Sequence, residues 1–161
     1  MKEHADKHIR FMRLAIEQAR KGMANKEGGP FGAVIVKNGA VIAAGNNRVT
    51  STNDPTAHAE IVAIREACQK LNAFQLDGCV LYTSCEPCPM CLGAIYWARP
   101  ERVFFACTRH DAASINFDDN FIYAEIAAPL DRRRIETVQL LREEALEVFE
   151  AWKNKSDKVP Y

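Results

Sequence analysis

The sequence lacks any apolar run that approaches the length of a membrane-spanning helix, which needs about 20 consecutive apolar residues. Its opening, MKEHADKHIR, is charged throughout, and the short apolar core of a secretory signal peptide does not follow it. These two absences predict a soluble, cytoplasmic protein that has no membrane partner.

An excess of charge of either sign is also missing, because Lys plus Arg and Asp plus Glu both number 21. No overall field draws the chain to nucleic acid, so we expect a small-molecule substrate and no nucleic-acid partner. The sequence contains no internal repeat and no low-complexity segment. A length of 161 residues suits one domain, 1–161, with its own core.

Cysteine, in contrast, is abundant and clustered. Three of the six cysteines, Cys85, Cys88 and Cys91, lie close together. In a reducing compartment such crowding indicates metal binding or thiol chemistry before disulfides. The other three fall in apolar patterns and are expected to be small buried residues: Cys68, Cys79 and Cys107.

Helix and strand patterns alternate along the chain. Residues 5–23 and 57–71 have helical spacing of apolar residues, whereas FGAVIVK and VIAAG are predicted strands joined by the hairpin signal Asn38-Gly39. The later predicted elements are the strand CVLYTS, the helix PMCLGAIYWA, the strand RVFFAC, the strand TVQLL and the helix LREEALEVFEAWKN. On the first helix, the residues expected to face the core are Ile9, Met12, Ile16 and Ala19. This order predicts an α/β fold, a three-layer α/β/α sandwich with a central mixed five-stranded sheet.

The segment SCEPCPMC has the spacing of a metal site. Residues three apart on a helix face the same side, so Cys88 and Cys91 can bind one metal if the helix begins near Cys88. Pro89 suits the first turn of such a helix, whose amino end also stabilises the thiolate form of cysteine. Cys85 precedes this start and is predicted to pack at the end of a strand.

Two cysteines alone do not hold a catalytic zinc, and His58 in DPTAHAE is the third ligand that we expect. On a regular helix His58 and Glu60 would point about 200 degrees apart, yet at the start of a helix they can flank one site. One imidazole and two thiolates leave the fourth zinc position for water, which is typical of a catalytic site. Glu60 is then placed to act as the base. Alone, a histidine before a helix is more commonly a capping or solvated residue.

The pairing of HAE with PCxxC is the pattern of zinc-dependent nucleobase deaminases. The segments TAHAEIVAIREAC and LYTSCEPCPMCLGAIYWARP resemble the guanine deaminases of the cytidine deaminase-like superfamily. The resemblance implies a cytidine deaminase-like fold, one zinc per subunit on His58, Cys88 and Cys91, and Glu60 as the proton shuttle. The implied reaction is hydrolytic deamination of guanine to xanthine and ammonia by a zinc-activated water.

The same resemblance implies roles outside the zinc motif. Asp119 matches a second catalytic carboxylate, Phe31 the aromatic residue that stacks on the purine, and Asn47 the amide that binds a ring edge. Tyr161 is similar to the last residue of a tail that closes over the site. Members of this type form domain-swapped dimers, which implies a homodimer that exchanges a segment of about residues 120–161.

Each of these residues also has a purely structural interpretation. Phe31 suits a core position at a strand start, Asn47 suits a loop, and Asp119 suits a solvated turn. His110 lies beside Asp111, a candidate helix cap, and is expected to be a surface residue. An ionised carboxylate only accepts hydrogen bonds, so Asp119 suits the ring N–H and amino donors of guanine better than the edge of adenine.

Three other functions stay open at the level of sequence. The first is deamination of another substrate, such as cytosine, guanosine, an ammeline-like triazine or an adenosine in tRNA. The second is a non-enzymatic zinc module in which the metal only stabilises the fold. The third is a thiol redox protein that uses a CxxC pair.

Overall fold

The structure is a computed structural model that describes the backbone of residues 2–161 and the side chains of residues 6–161. The elements of its first part are α1 (Lys2–Ala24), β1 (Gly32–Lys37), β2 (Ala40–Asn46), α2 (Val49–Thr52), α3 (Ala59–Leu71), β3 (Cys79–Cys85), α4 (Pro89–Ala98), β4 (Arg102–Cys107) and α5 (Arg109–Ser114). The elements that follow are α6 (Asn120–Ala127), a short 3-10 helix (Leu130–Arg132) and α7 (Arg142–Asn154). The alternation of helices and strands confirms the α/β class.

The sheet is mixed and has the order β2-β1-β3-β4. β1 pairs with β2 and with β3 in antiparallel fashion, whereas β3 and β4 are parallel. The predicted hairpin is confirmed, because Asn38 and Gly39 connect β1 to β2 with φ values of 51° and 78°. Positive φ at both central residues is the geometry that Asn-Gly favours in two-residue hairpins.

The prediction of a fifth strand in TVQLL is wrong for the described part of the chain, which contains four strands. Residues 137–141 have no regular secondary structure, and Val138 and Leu140 are 72% and 80% exposed. A strand needs a second strand to pair with and a surface on which its side chains pack. TVQLL has β-forming residues, yet among the described residues it pairs with no strand and its large side chains are exposed.

Two core clusters lie on opposite faces of the sheet, because successive strand residues point to opposite sides. On one face, Val34 and Tyr82 pack with Phe11 of α1. On the other face, Ile35 and Leu81 pack with small and apolar residues of α3 and α4. The second cluster lies beneath the starts of α3 and α4, where the chemistry-bearing residues of the sequence are found.

The apolar face of α1 differs from the predicted one. Ile9 is 47% exposed, whereas Phe11 and Ala15 are fully buried. The cause is a close approach to β1, since a Cβ added at Gly32 would lie 2.3 Å from the backbone oxygen of Ala15. Alanine is needed where α1 approaches Gly32, so the buried stripe runs through Phe11, Ala15 and Ala19. Of the predicted residues, Ala19 is buried, Met12 and Ile16 are half-buried, and Ile9 is exposed.

The chain forms two compact units, residues 1–119 and residues 120–161. The first contains the sheet and helices α1 to α5, and the second contains α6, the 3-10 helix and α7. None of the described helices is both long and apolar enough to cross a membrane.

Cys79 is buried and Cys68 is half-buried, which fits the core role predicted for both. The same prediction is wrong for Cys107, which is exposed. Cys107 is the last residue of β4, and β4 is an edge strand of the sheet.

Candidate active site

His58 occupies the N-cap position of α3, with extended backbone angles and no capping hydrogen bond from its side chain. Its imidazole is therefore not engaged in holding the helix end. Glu60 follows in the first turn and is only 6% exposed. The start of α3 thus lets both side chains approach one point, as the sequence predicted, although they would diverge in the middle of a helix.

Cys88 occupies the equivalent position of α4, and Pro89 is the first residue of that helix. Cys91 lies one turn further on and is completely buried. A proline in the first turn costs no hydrogen bond, because the N–H at that position has no partner within the helix. The sequence PCPMC therefore begins a helix where both thiols face the same side.

The structure brings these three side chains together. Nδ1 of His58 lies 3.5 Å from Sγ of Cys88 and 3.5 Å from Sγ of Cys91. The ligand atoms of the three residues all lie within 4.8 Å of one another. Tetrahedral zinc with ordinary Zn–N and Zn–S bonds places nitrogen and sulfur about 3.6 Å apart. The group therefore fits one zinc ion without rearrangement.

The two neighbouring thiols have opposite pKa shifts. Interactions with Cys91 and His58 lower the pKa of Cys88 to about 4, Cys91 contributing most. The pKa of Cys91 is raised first by its contact with Cys88, then by burial and by the nearby charge of Glu60. Cys88 is thus a thiolate at neutral pH, and Cys91 releases its proton when a metal binds.

Glu60 is held at both oxygens. Its Oε1 accepts a hydrogen bond from Oγ1 of Thr83 at 3.3 Å, and its Oε2 accepts one from Sγ of Cys91 at 3.5 Å. Burial raises the pKa of this carboxyl above its ordinary value. A raised pKa brings a carboxylate closer to the range in which it both takes and returns a proton near neutral pH.

Cys85 lies outside the group of metal-binding atoms. It is 7% exposed, and its Sγ donates to the backbone oxygen of Thr108 at 3.5 Å. Burial and the nearby Cys107 raise its pKa to about 11. Its surroundings suit the packing role predicted for it at the end of β3.

Asn47 and Phe31 lie on adjoining loops of the first unit. Asn47 is 5% exposed, and its Oδ1 accepts hydrogen bonds from the backbone N–H groups of Gly29 at 3.3 Å and Val49 at 3.2 Å. Its backbone N–H donates to the oxygen of Phe31 at 3.0 Å. The ring of Phe31 is half-buried and meets Phe117 edge to face, with centroids 5.0 Å apart.

Asp119 lies within electrostatic range of the metal-binding group. Its pKa is raised, first by burial and then by the negative charge of Cys88. Tyr161 belongs to the second unit and is 71% exposed. His110 is exposed in α5, as expected. The cap of α5 is Thr108, and Asp111 is its reciprocal partner three residues later, so the predicted cap residue was misplaced.

Sequence reasoning missed two side chains near this site. Thr83 contacts Glu60, and Phe117 contacts Phe31. The signal for Thr83 was a hydroxyl inside the otherwise apolar run CVLYTS, because a buried hydroxyl needs a partner. Phe117 gave no comparable signal, since it lies in a loop without periodicity.

Residues 5–107 match the family of the cytidine and deoxycytidylate deaminase zinc-binding region. The match covers more than half of the chain and includes His58, Glu60, Cys88 and Cys91. The chain belongs to the cytidine and deoxycytidylate deaminase family. Zinc is the metal of this family's matched region, and the predicted zinc cofactor is confirmed at the level of a group that could bind one ion.

Guanine deaminases are among the similar proteins. The enzyme from Bacillus subtilis (strain 168) is 57% identical over 154 residues, which are 96% of this chain and 99% of that protein. An X-ray structure of guanine deaminase from Bacillus subtilis matches with a TM-score of 0.93 over 96% of this chain and 98% of that chain. A structure of guanine deaminase from Nitrosomonas europaea is 38% identical and has a TM-score of 0.65, over 68% and 64% of the two chains.

A tRNA-specific adenosine deaminase from Aquifex aeolicus (strain VF5) is 45% identical over 96 residues, 60% of this chain and 63% of that protein. The similarity to this tRNA-specific deaminase covers only part of the present chain, whereas the similarity to the guanine deaminase of Bacillus subtilis covers nearly all of it. The predicted resemblance to the guanine deaminases is confirmed.

Proposed function

We propose that this deaminase-family protein hydrolyses guanine to xanthine and ammonia in purine catabolism. The observation that carries the proposal is a buried carboxylate, Glu60, beside three atoms of His58, Cys88 and Cys91 with the spacing of tetrahedral zinc ligands. Three ligands leave a position for water, which distinguishes a catalytic zinc site from a closed structural one. The match to a guanine deaminase over 96% of the chain selects the substrate.

Zinc, when bound by His58, Cys88 and Cys91, would polarise a water molecule and lower its pKa. Two thiolates already neutralise the charge of the ion, so this effect is weaker than with three imidazoles and a base is needed. Glu60 accepts the proton of the attacking water and returns protons to the ring and to the leaving amino group. The oxygen of the consumed water forms a bond to the ring carbon, the bond from that carbon to the amino nitrogen breaks, and ammonia leaves. We assign assistance of this departure to Asp119.

Guanine recognition is assigned to Phe31, Asn47 and Asp119. The Oδ1 of Asn47 is occupied by two backbone N–H groups, and its Nδ2 has no hydrogen-bond partner among the described residues. That donor is available to an acceptor on the purine edge. The Asp119 carboxylate suits the ring N–H and amino group of guanine. Phe31 provides an aromatic face for stacking.

We further propose a homodimer that exchanges residues 120–161 and thereby brings Tyr161 to the site of the other copy. No residue of this unit is buried, and even the large apolar side chains of Ile135 and Phe149 are 81% and 71% exposed. Large apolar side chains at such exposure call for a covering surface. Core clusters on both faces of the sheet support a three-layer α/β/α arrangement for the first unit. A cytoplasmic location stays a prediction.

The experiment is zinc stoichiometry measured beside ammonia release from guanine, cytosine and adenosine. We expect one zinc per subunit and release of ammonia chiefly from guanine. In Glu60→Gln the zinc content should be retained while kcat falls about 10²- to 10⁴-fold, because the amide cannot accept the proton of water.

Glu66→Gln is the matched control, since Glu66 lies on the same helix and pairs with Lys70 at the surface. This variant should keep the wild-type kcat. Zinc-loaded protein that releases ammonia from adenosine or cytosine but not guanine would refute the substrate, and a fully active Glu60→Gln would refute the role of Glu60.

A further inference from the structure

Thr83 is a buried polar residue in the strand beneath the site. It lies in β3 and is only 1% exposed. Because side chains alternate along a strand, Thr83 faces the same side as Leu81, which packs in the apolar cluster with α3 and α4. A hydroxyl at such a position is costly unless it has a hydrogen-bond partner.

The partner is the carboxylate that we assign as the proton shuttle. Oγ1 of Thr83 donates to Oε1 of Glu60 at 3.3 Å, and the side chain of Thr83 has no other hydrogen bond among residues 6–161. Twenty-three positions separate the two residues in the chain. The contact joins the start of α3 to the centre of the sheet, so the rigid strand determines where this oxygen of Glu60 lies.

The second oxygen of Glu60 has a different partner. Oε2 accepts a hydrogen bond from Sγ of Cys91 at 3.5 Å, and Cys91 is one of the three residues that could hold the metal. Among the described residues, Thr83 therefore provides the side-chain hydrogen bond to Glu60 that comes from outside the metal-binding group.

We propose that Thr83 is a positioning residue that fixes the side chain of Glu60 for proton transfer. The inference rests on the proposed function, because it requires Glu60 to move protons in a deamination. It predicts an effect on turnover rather than on substrate affinity, since Thr83 is buried beneath Glu60.

The test compares Thr83→Val, which keeps the shape and loses the hydroxyl, with Thr83→Ser, which keeps the hydroxyl. We expect Thr83→Val to lower kcat about ten- to hundredfold, the usual effect of removing a residue that orients a catalytic group, with KM and zinc content near the wild-type values. Thr83→Ser should restore most of kcat. Thr83→Ala is a second hydroxyl-free variant, and it should share the low kcat if Val packs poorly.

Ser84→Ala is the control for loss of a buried hydroxyl. Ser84 points to the opposite face of β3 and accepts a hydrogen bond from the backbone N–H of Gly32 at 3.0 Å. This variant should change thermal stability and leave kcat unchanged. A wild-type kcat in Thr83→Val, or a Thr83→Ser variant as slow as Thr83→Val, would overturn the positioning role.

The Thr83 variants are compared on whichever substrate the wild-type enzyme deaminates. If the wild type deaminates cytosine or adenosine but not guanine, the proposed substrate is overturned, and the role of Thr83 is decided by kcat on the substrate that reacts. A zinc-loaded wild type that deaminates no base overturns both proposals.

Discussion

At the scale of single residues, the side chain of Asn47 is held in one position by the loop that precedes Phe31. Two backbone N–H groups hold its side-chain oxygen, and the neighbouring Gly28 lies against it. A Cβ added at Gly28 would lie 2.2 Å from Oδ1 and 2.5 Å from the backbone oxygen of Asn47. Such distances are impossible between non-bonded atoms, so the absence of a side chain at position 28 is what lets Asn47 take its position.

Gly28→Ala is therefore expected to displace Asn47 and to raise KM for guanine by up to about tenfold, the equivalent of one hydrogen bond. Zinc content should not change, because the metal-binding residues lie on α3 and α4. Steady-state kinetics with metal analysis measures both quantities.

Gly93→Ala is the control for this prediction. Gly93 is exposed on α4, and a Cβ there would meet nothing within 4 Å. Alanine is the better helix former, so this variant should keep KM and gain slightly in thermal stability. An unchanged KM in Gly28→Ala would show that the loop relaxes without moving the amide, or that Asn47 does not touch the substrate.

The metal-binding residues were predictable because their geometry is local. A helix start at His58 and another at Cys88 follow from the short patterns HAE and PCPMC, and each places its side chains without knowledge of the fold. The contact of Thr83 with Glu60 was not predictable, because it depends on which strand lies beneath α3. A residue such as Thr83, which acts through another residue, therefore cannot be identified from the sequence alone.

At the scale of elements, the start of α5 shows how a short helix is stabilised by its own ends. The hydroxyl of Thr108 accepts from the backbone N–H of Asp111, and Oδ2 of Asp111 accepts from the backbone N–H and hydroxyl of Thr108 at 2.7 and 2.8 Å. This is a reciprocal capping box. It begins the segment between β4 and the loop that carries Phe117 and Asp119.

These hydrogen bonds lower the pKa of Asp111, the backbone N–H of Thr108 contributing most. Because the folded pKa lies below the unfolded value of about 3.9, the carboxylate stabilises the folded protein above that pH and loses this effect as the pH falls through the folded pKa. Asp111→Asn should thus lower Tm at pH 7, and its difference from the wild type should shrink toward pH 3. Thermal melting of both proteins at the two pH values measures this, and a constant difference would contradict it.

Elements with a local signal were predicted, and elements that need a distant partner were not. The hairpin of β1 and β2 follows from Asn38-Gly39, whose preferred φ values fix the turn before any tertiary contact forms. TVQLL has the composition of a strand, yet pairing is a property of two segments, and the described residues provide no second one. The burial of Ala15 in place of Ile9 likewise depended on how closely α1 approaches β1.

At the scale of the whole molecule, the balance of charge bears on the choice between a free base and a polymer. Binding to nucleic acid is dominated by contacts of Lys and Arg with phosphates. The chain has 21 basic and 21 acidic residues, and the described ion pairs occupy several of the basic ones at the surface. We therefore still expect a free base as the substrate, although the chain is similar to a tRNA-specific adenosine deaminase over 60% of its length.

The proposed exchange of residues 120–161 between two copies can be tested by combining two variants in one dimer. If the tail closes over the site as a lid, deletion of residues 157–161 should lower activity, and Glu60→Gln should abolish proton transfer. In a domain-swapped dimer, however, the intact tail of a Glu60→Gln chain closes over the site of a tail-deleted chain, whose Glu60 is present.

Co-expression of the two differently tagged variants and isolation of the mixed dimer should therefore restore turnover at one of its two sites, although each homodimer is impaired. Light scattering gives the mass, and ammonia release from guanine gives the activity. A tail that closes over its own subunit would leave the mixed dimer as slow as its parents, because no site would then combine Glu60 with Tyr161. A wild-type protein that is monomeric at assay concentration would refute the exchange outright, and an unaltered kcat and KM in the deletion variant would refute the lid.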